Sequence, residues 1–76
     1  MDKNIENYLI EIEKIVGERI LYLRIKFKIS RRELAATINV SEQQLAKYEK
    51  NINRISIGRL SLIANKFKKD INYFIS

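Results

Sequence analysis

No cysteine, histidine, proline or tryptophan occurs among the 76 residues, and only two glycines do, Gly17 and Gly58. Without Cys there are no disulfides to staple a small core and no thiol chemistry. Without His as well, most zinc sites and imidazole base catalysis are excluded. Two isolated glycines build no phosphate-cradling loop. No apolar run approaches the ~18 residues that span a bilayer, and no basic-then-apolar signal segment opens the chain, so the cytoplasm is the expected compartment. Carboxylates remain, but none sits in a recognisable catalytic pair. The expectation is no enzyme, no cofactor and no metal.

What the chain does have is charge of one sign, unevenly placed. Hydrophobic residues make up 46% and charged residues 32%, a globular balance rather than a disordered one. The formal net charge is +6 and the sequence pI about 9.8, which suits a partner that carries phosphates. Residues 1–18 hold Lys3 and Lys14 against Asp2, Glu6, Glu11, Glu13 and Glu18, a net of −3, so the remainder carries +9. The basic surface therefore belongs to residues 19–76.

Within that basic part, Arg31 to Lys50 reads R-R-E-L-A-A-T-I-N-V-S-E-Q-Q-L-A-K-Y-E-K and predicts two short helices joined by a tight turn. Ala35 falls where two steeply crossing helices tolerate only a methyl group. Asn39 falls where the turn needs a left-handed residue, which Asn supplies second best after Gly. Leu34, Ile38, Val40, Leu45 and Tyr48 are spaced to close a core between the pair. Such a pair is the arrangement of a DNA-reading helix-turn-helix, whose second helix enters the major groove.

With Pro absent, element boundaries come from caps and periodicity. Ser30 with Glu33 forms a capping box for a helix over Arg31–Ile38, and Ser41 with Gln44 repeats it for Glu42–Lys50. Ser56 caps a helix with Leu60, Ile63, Ala64 and Phe67 on its inner face, and Asp70 caps a last short one carrying Ile71, Phe74 and Ile75. Upstream, Ile5, Tyr8, Leu9, Ile12, Ile15 and Val16 recur at steps of three and four, and the pattern runs past Gly17 through Ile20, Leu23 and Phe27. One long helix and two abutting helices both fit, because an interior Gly costs only about 1 kcal/mol. No strand-like alternation, repeat or low-complexity stretch occurs. The expected fold is all-α.

From Val16 to Ile75 the chain resembles the lambda repressor/Cro-like (XRE-type) helix-turn-helix family. The stretches that carry the resemblance begin with Val16-Gly17-Glu18-Arg19-Ile20, Leu23-Arg24 and Ser30-Arg31-Arg32-Glu33-Leu34-Ala35. They continue with Val40-Ser41-Glu42-Gln43-Gln44-Leu45, Lys47-Tyr48-Glu49-Lys50, Asn53-Arg54-Ile55-Ser56, Leu60, Ile63-Ala64 and Asn72-Tyr73-Phe74. The resemblance implies a compact five-helix domain over 17–76 that binds operator DNA as a symmetric dimer. Residues 1–16 would then be an extra amphipathic helical segment. It also implies an ion pair between Arg24 and Glu49. Two departures stand out: the family often opens its second helix with Gln, where this chain has Arg31, and commonly has Gly where this chain has Asn51.

Gln43, Gln44 and Lys47 share one face of the second motif helix. Gln pairs with adenine N6 and N7, and Lys reaches guanine O6 and N7, each good pair discriminating by roughly 1–3 kcal/mol. Gln44 also fits a purely capping role, Gln43 a solvated amide, and Lys47 a phosphate contact alone. Glu42 fits both the helix dipole and cytosine N4. Arg31, Arg32, Lys50, Asn53 and Arg54 are candidate phosphate contacts, which set register without reading sequence. Asn51 is explained by backbone geometry.

Two functional readings compete. The first is a sequence-specific regulator of duplex DNA, a repressor binding a palindromic operator as a homodimer, because one such domain reads too few base pairs for a regulator's discrimination. Its pairing surface would be the opening stripe (Ile5, Leu9, Ile12, Val16) or the patch Tyr73–Ile75. The second is an antitoxin or protein-interaction adaptor, whose acidic, apolar-striped opening segment lies in a partner's groove. Non-specific nucleoid binding is a third, weakly disfavoured by the two adjacent Gln.

Overall fold

Each helix after the first starts where a side-chain oxygen accepts one of the free amides of its opening turn. In the computed structural model, which describes residues 3–76, Ser30, Ser41 and Ser56 are in extended backbone. Their hydroxyls accept from the amides of Glu33, Gln44 and Arg59 at 3.0, 3.0 and 3.2 Å. The helices they open are α2 (Arg31–Thr37), α3 (Glu42–Glu49) and α4 (Ile57–Phe67). Ahead of them runs α1 (Lys3–Lys26), one continuous helix through Gly17. Met1 and Asp2, the first residues of the expected opening segment, lie outside the described residues.

All four helices end the same way. Lys28, Asn39, Asn51 and Lys68 take left-handed backbone with φ between 56° and 60°. Each is followed by a residue whose amide closes a six-residue loop: Ile29 onto the Arg24 carbonyl, Val40 onto Ala35, Ile52 onto Lys47 and Lys69 onto Ala64, at 2.8–3.0 Å. These are Schellman motifs built without glycine. Asn suits two of the four positions. Lys at the other two takes the left-handed backbone at a cost of about 1–2 kcal/mol each, set against the two cap hydrogen bonds that each turn closes.

The fold is all-α, and no strand occurs among the described residues. Four α-helices are followed by a 3₁₀ turn, Ile71–Phe74, where the sequence predicts a fifth helix. Four residues cannot set up an i→i+4 ladder, and the amide of Tyr73 instead donates to the Asp70 carbonyl at 2.9 Å. The core joins Val16, Ile20 and Leu23 of α1, Leu34, Ala35 and Ile38, Leu45 of α3, four residues of α4, and Phe74. Ala35 is 2% exposed, as the close α2–α3 crossing requires. No described helix is long and apolar enough to cross a membrane.

The body takes little more than the second half of α1. At 1.5 Å per residue a 24-residue helix is about 36 Å long, which accounts for the long axis of a molecule measuring 40 × 24 × 21 Å. Val16 is the first buried side chain among the described residues; Ile5, Tyr8, Leu9 and Ile10 before it are all exposed. The apolar stripe of α1 therefore continues past the point where anything covers it.

Candidate nucleic-acid interface

Helix α3 is held from its inner side. Leu45 is fully buried, and Glu49, four residues on, turns the same way. A carboxylate at a helix C-terminus opposes the helix dipole and, once buried, needs partners. Glu49 has two. Arg24 of α1 donates from Nε at 2.5 Å and from its terminal nitrogen at 3.2 Å, a bidentate grip with side chains 12% and 1% exposed. Arg31 of α2 adds its Nε at 3.2 Å. The expected Arg24–Glu49 pair is thus one arm of a triad that ties three helices at one point.

Gly17 works at the same junction. A Cβ there would stand 2.6 Å from the Tyr48 carbonyl oxygen and 3.0 Å from that of Glu49. Only a residue without a side chain lets α1 pass this close to the end of α3. Nothing in the local sequence marks this role.

With its inner face fixed, α3 presents Glu42, Gln43 and Lys47 as exposed side chains and Gln44 as a half-buried one. No hydrogen bond or ion pair engages the side chains of these four within the described residues. The Gln44 backbone amide donates to the Ser41 hydroxyl, and the Gln44 side chain makes no return bond to the cap. The Ser30 box closes differently from the sequence expectation: the Glu33 carboxylate pairs with Lys66 of α4 at 3.3 Å. Around α3, Arg32, Lys50 and Asn53 are exposed, and Arg31 is half-exposed with its terminal nitrogens uncommitted. Arg54, in the loop after α3, has an Nε–Oε2 contact of 2.9 Å to Glu13 of α1.

Three contributors escape a sequence reading: Gly17, Glu13 and Arg59. The Arg59 Nε donates to the Ile38 carbonyl at 2.9 Å, satisfying an otherwise free acceptor at the end of α2. Glu13, Gly17 and Arg24 do share one face of α1, a signal that is visible once that helix is known to be continuous. Every buried side-chain nitrogen and oxygen among the described residues is partnered. No group of three or more metal-ligating side chains gathers among them.

A short capped helix held on its inner face, polar on its outer one and flanked by bases, defines a helix-turn-helix domain. The helix-turn-helix family model matches residues 20–74, and the chain belongs to this lambda repressor/Cro-like (XRE-type) helix-turn-helix family. An uncharacterized HTH-type transcriptional regulator of Rickettsia prowazekii is 50% identical over 64 residues, covering 84% of this chain and 49% of that protein. One of Rickettsia conorii is also 50% identical, over 84% of this chain and 51% of its own length. An uncharacterized transcriptional regulator in the ATPase CF(0) region of Rhodospirillum rubrum is 40% identical, over 86% of this chain and 60% of its own. The chain spans about half the length of the two Rickettsia relatives. No solved structure matches it.

Proposed function

We propose that the chain binds duplex DNA in the cytoplasm by placing α3 in the major groove and acts as a repressor by occupying a promoter. Gln43, Gln44 and Lys47, with Glu42 at the helix start, read base edges. Arg31, Arg32, Lys50, Asn53 and Arg54 hold phosphates on either side. One observation carries the reading: the inner face of α3 is locked by Leu45 and the Glu49 triad, while its outward polar side chains are left without partners. That is a preorganised surface awaiting an external ligand. Residues 17–76 form the DNA-binding part of this scheme, and residues 3–16 extend its first helix.

Two copies act together on a palindromic operator. A single domain reads only a few base pairs, and recognition helices about 34 Å apart would read successive major-groove faces. Selection of bound sites from a randomised duplex pool, with sedimentation of the free protein and its complex, tests both parts. The expected result is a two-fold symmetric site bound by two chains. A lone half-site bound by a monomer removes the homodimer, and no enrichment removes base reading.

The exposed Ile5 and Leu9 support a second reading, in which the opening half of α1 docks on another protein, as an antitoxin or adaptor does. Stable co-purification of a cognate protein that is lost on changing both residues to Ser would favour it.

A further inference from the structure

The face of α1 that meets the recognition helix does not stop at the core. Arg24 grips Glu49, and seven residues earlier Gly17 admits the Tyr48 and Glu49 carbonyls. Four residues before that, the Glu13 carboxylate holds Arg54 at 2.9 Å. Glu6 comes seven residues earlier still, and it lines a shallow surface hollow with Leu9, Ile10, Glu13 and Arg54. The opening half of α1 therefore lays carboxylates beside the loop that the DNA reading assigns to phosphate.

A guanidinium has one set of outward N–H groups, and carboxylate and phosphate compete for it with similar geometry. The two partners are unequally held. Glu13 is 32% exposed and anchored on a helix, whereas Arg54 is 82% exposed on a loop, free to leave one anion for another. A solvated pair of this kind is weak, worth up to about five-fold in an equilibrium constant. Glu13 would thus act as a competitor that DNA can displace.

We propose that Glu13 is an intramolecular stand-in for a DNA phosphate at Arg54, so that the opening half of α1 lowers the affinity of the domain for DNA. The proposal rests on the DNA-binding reading above. It gives residues before the core a role that neither dimerisation nor a protein partner requires. Its sign is fixed: the acidic arm weakens binding, and it does so through one arginine.

The test is a four-protein cycle of wild type, Glu13→Gln, Arg54→Ala and the double variant, each confirmed as folded by circular dichroism. Each is titrated with a short random-sequence duplex, since phosphate contacts do not depend on sequence. Glu13→Gln is expected to tighten binding about three- to five-fold at about 0.05 M salt, and the two curves should converge near 0.5 M as screening removes the competition. In the Arg54→Ala background the same change should give less than about two-fold, the residue of a general field effect. Equal tightening in both backgrounds, or none in either, overturns the proposal. Absence of duplex binding by all four proteins is a different result: it overturns the DNA reading itself, and the proposal with it.

Discussion

Replacing Gly17 by Ala sets two effects of opposite sign against each other. Gly17 lies inside α1, where Gly→Ala alone should stabilise by about 1 kcal/mol through helix propensity. Against that, the new Cβ would lie 2.6 Å from the Tyr48 carbonyl oxygen and 3.0 Å from the Glu49 one. Ordinary C···O contacts begin at about 3.3 Å, so one helix must move by about 0.7 Å. The atoms in the way are backbone, and they are committed. The Tyr48 carbonyl accepts the Asn51 amide in the cap of α3, and Glu49 is fixed by two arginines. Overpacking of this kind costs typically ~1–3 kcal/mol, and the rigid neighbours place it at the upper end. The net is a destabilisation of about 1–2 kcal/mol, which lowers Tm by about 5–15 °C for a chain this short. Gly58 is the control: nothing stands within 4 Å of its absent Cβ, so Gly58→Ala should raise Tm by a few degrees. Thermal unfolding by far-UV circular dichroism reads both variants. A Gly17→Ala protein that melts at or above wild type would refute the close α1–α3 approach.

Other substitutions test the remaining supports. Ala35→Leu puts an isobutyl group into a crossing where Ala35 is 2% exposed; it should cost ~1–3 kcal/mol or unfold the domain, and an unchanged melting temperature would contradict the α2–α3 packing. Glu49→Gln removes the anion between Arg24 and Arg31 and should cost about 3 kcal/mol in chemical denaturation, since it leaves a mostly buried guanidinium without its charge partner. Lys68→Gly relieves a left-handed residue at the end of α4 and should stabilise by up to about 1 kcal/mol; a loss would mean that the Lys68 side chain contributes packing that outweighs the strain. Gln43→Ala and Gln44→Ala should weaken binding to a selected site far more than to random duplex, and equal losses on both would remove them from base reading.

The parts of this domain that are legible in sequence are those whose causes are local. Ser30, Ser41, Ser56 and Asp70 each accept an amide two or three residues ahead, so the start of every later element is readable from neighbouring letters. Asn39 and Asn51 declare their left-handed turns by residue type. Lys28 and Lys68 adopt the same backbone without any such declaration in their residue type. The site divides along the same line. Gln43, Gln44 and Lys47 share a face by helical arithmetic alone, and that arithmetic also puts Leu45 and Glu49 inside. What holds the face in place spans the chain: Arg24 is 25 residues from Glu49, and Arg59 is 21 from Ile38. Arg54 shows how such distance changes a residue's role. From its loop position it reads as an uncommitted cation beside α3, yet a carboxylate 41 positions earlier already occupies it. A charge count of −3 for residues 1–18 and +9 for the rest describes two separate surfaces only while the chain is a line. Folded, Glu13 of the first helix meets Arg54 of the loop after α3, and the two surfaces are joined by an ion pair.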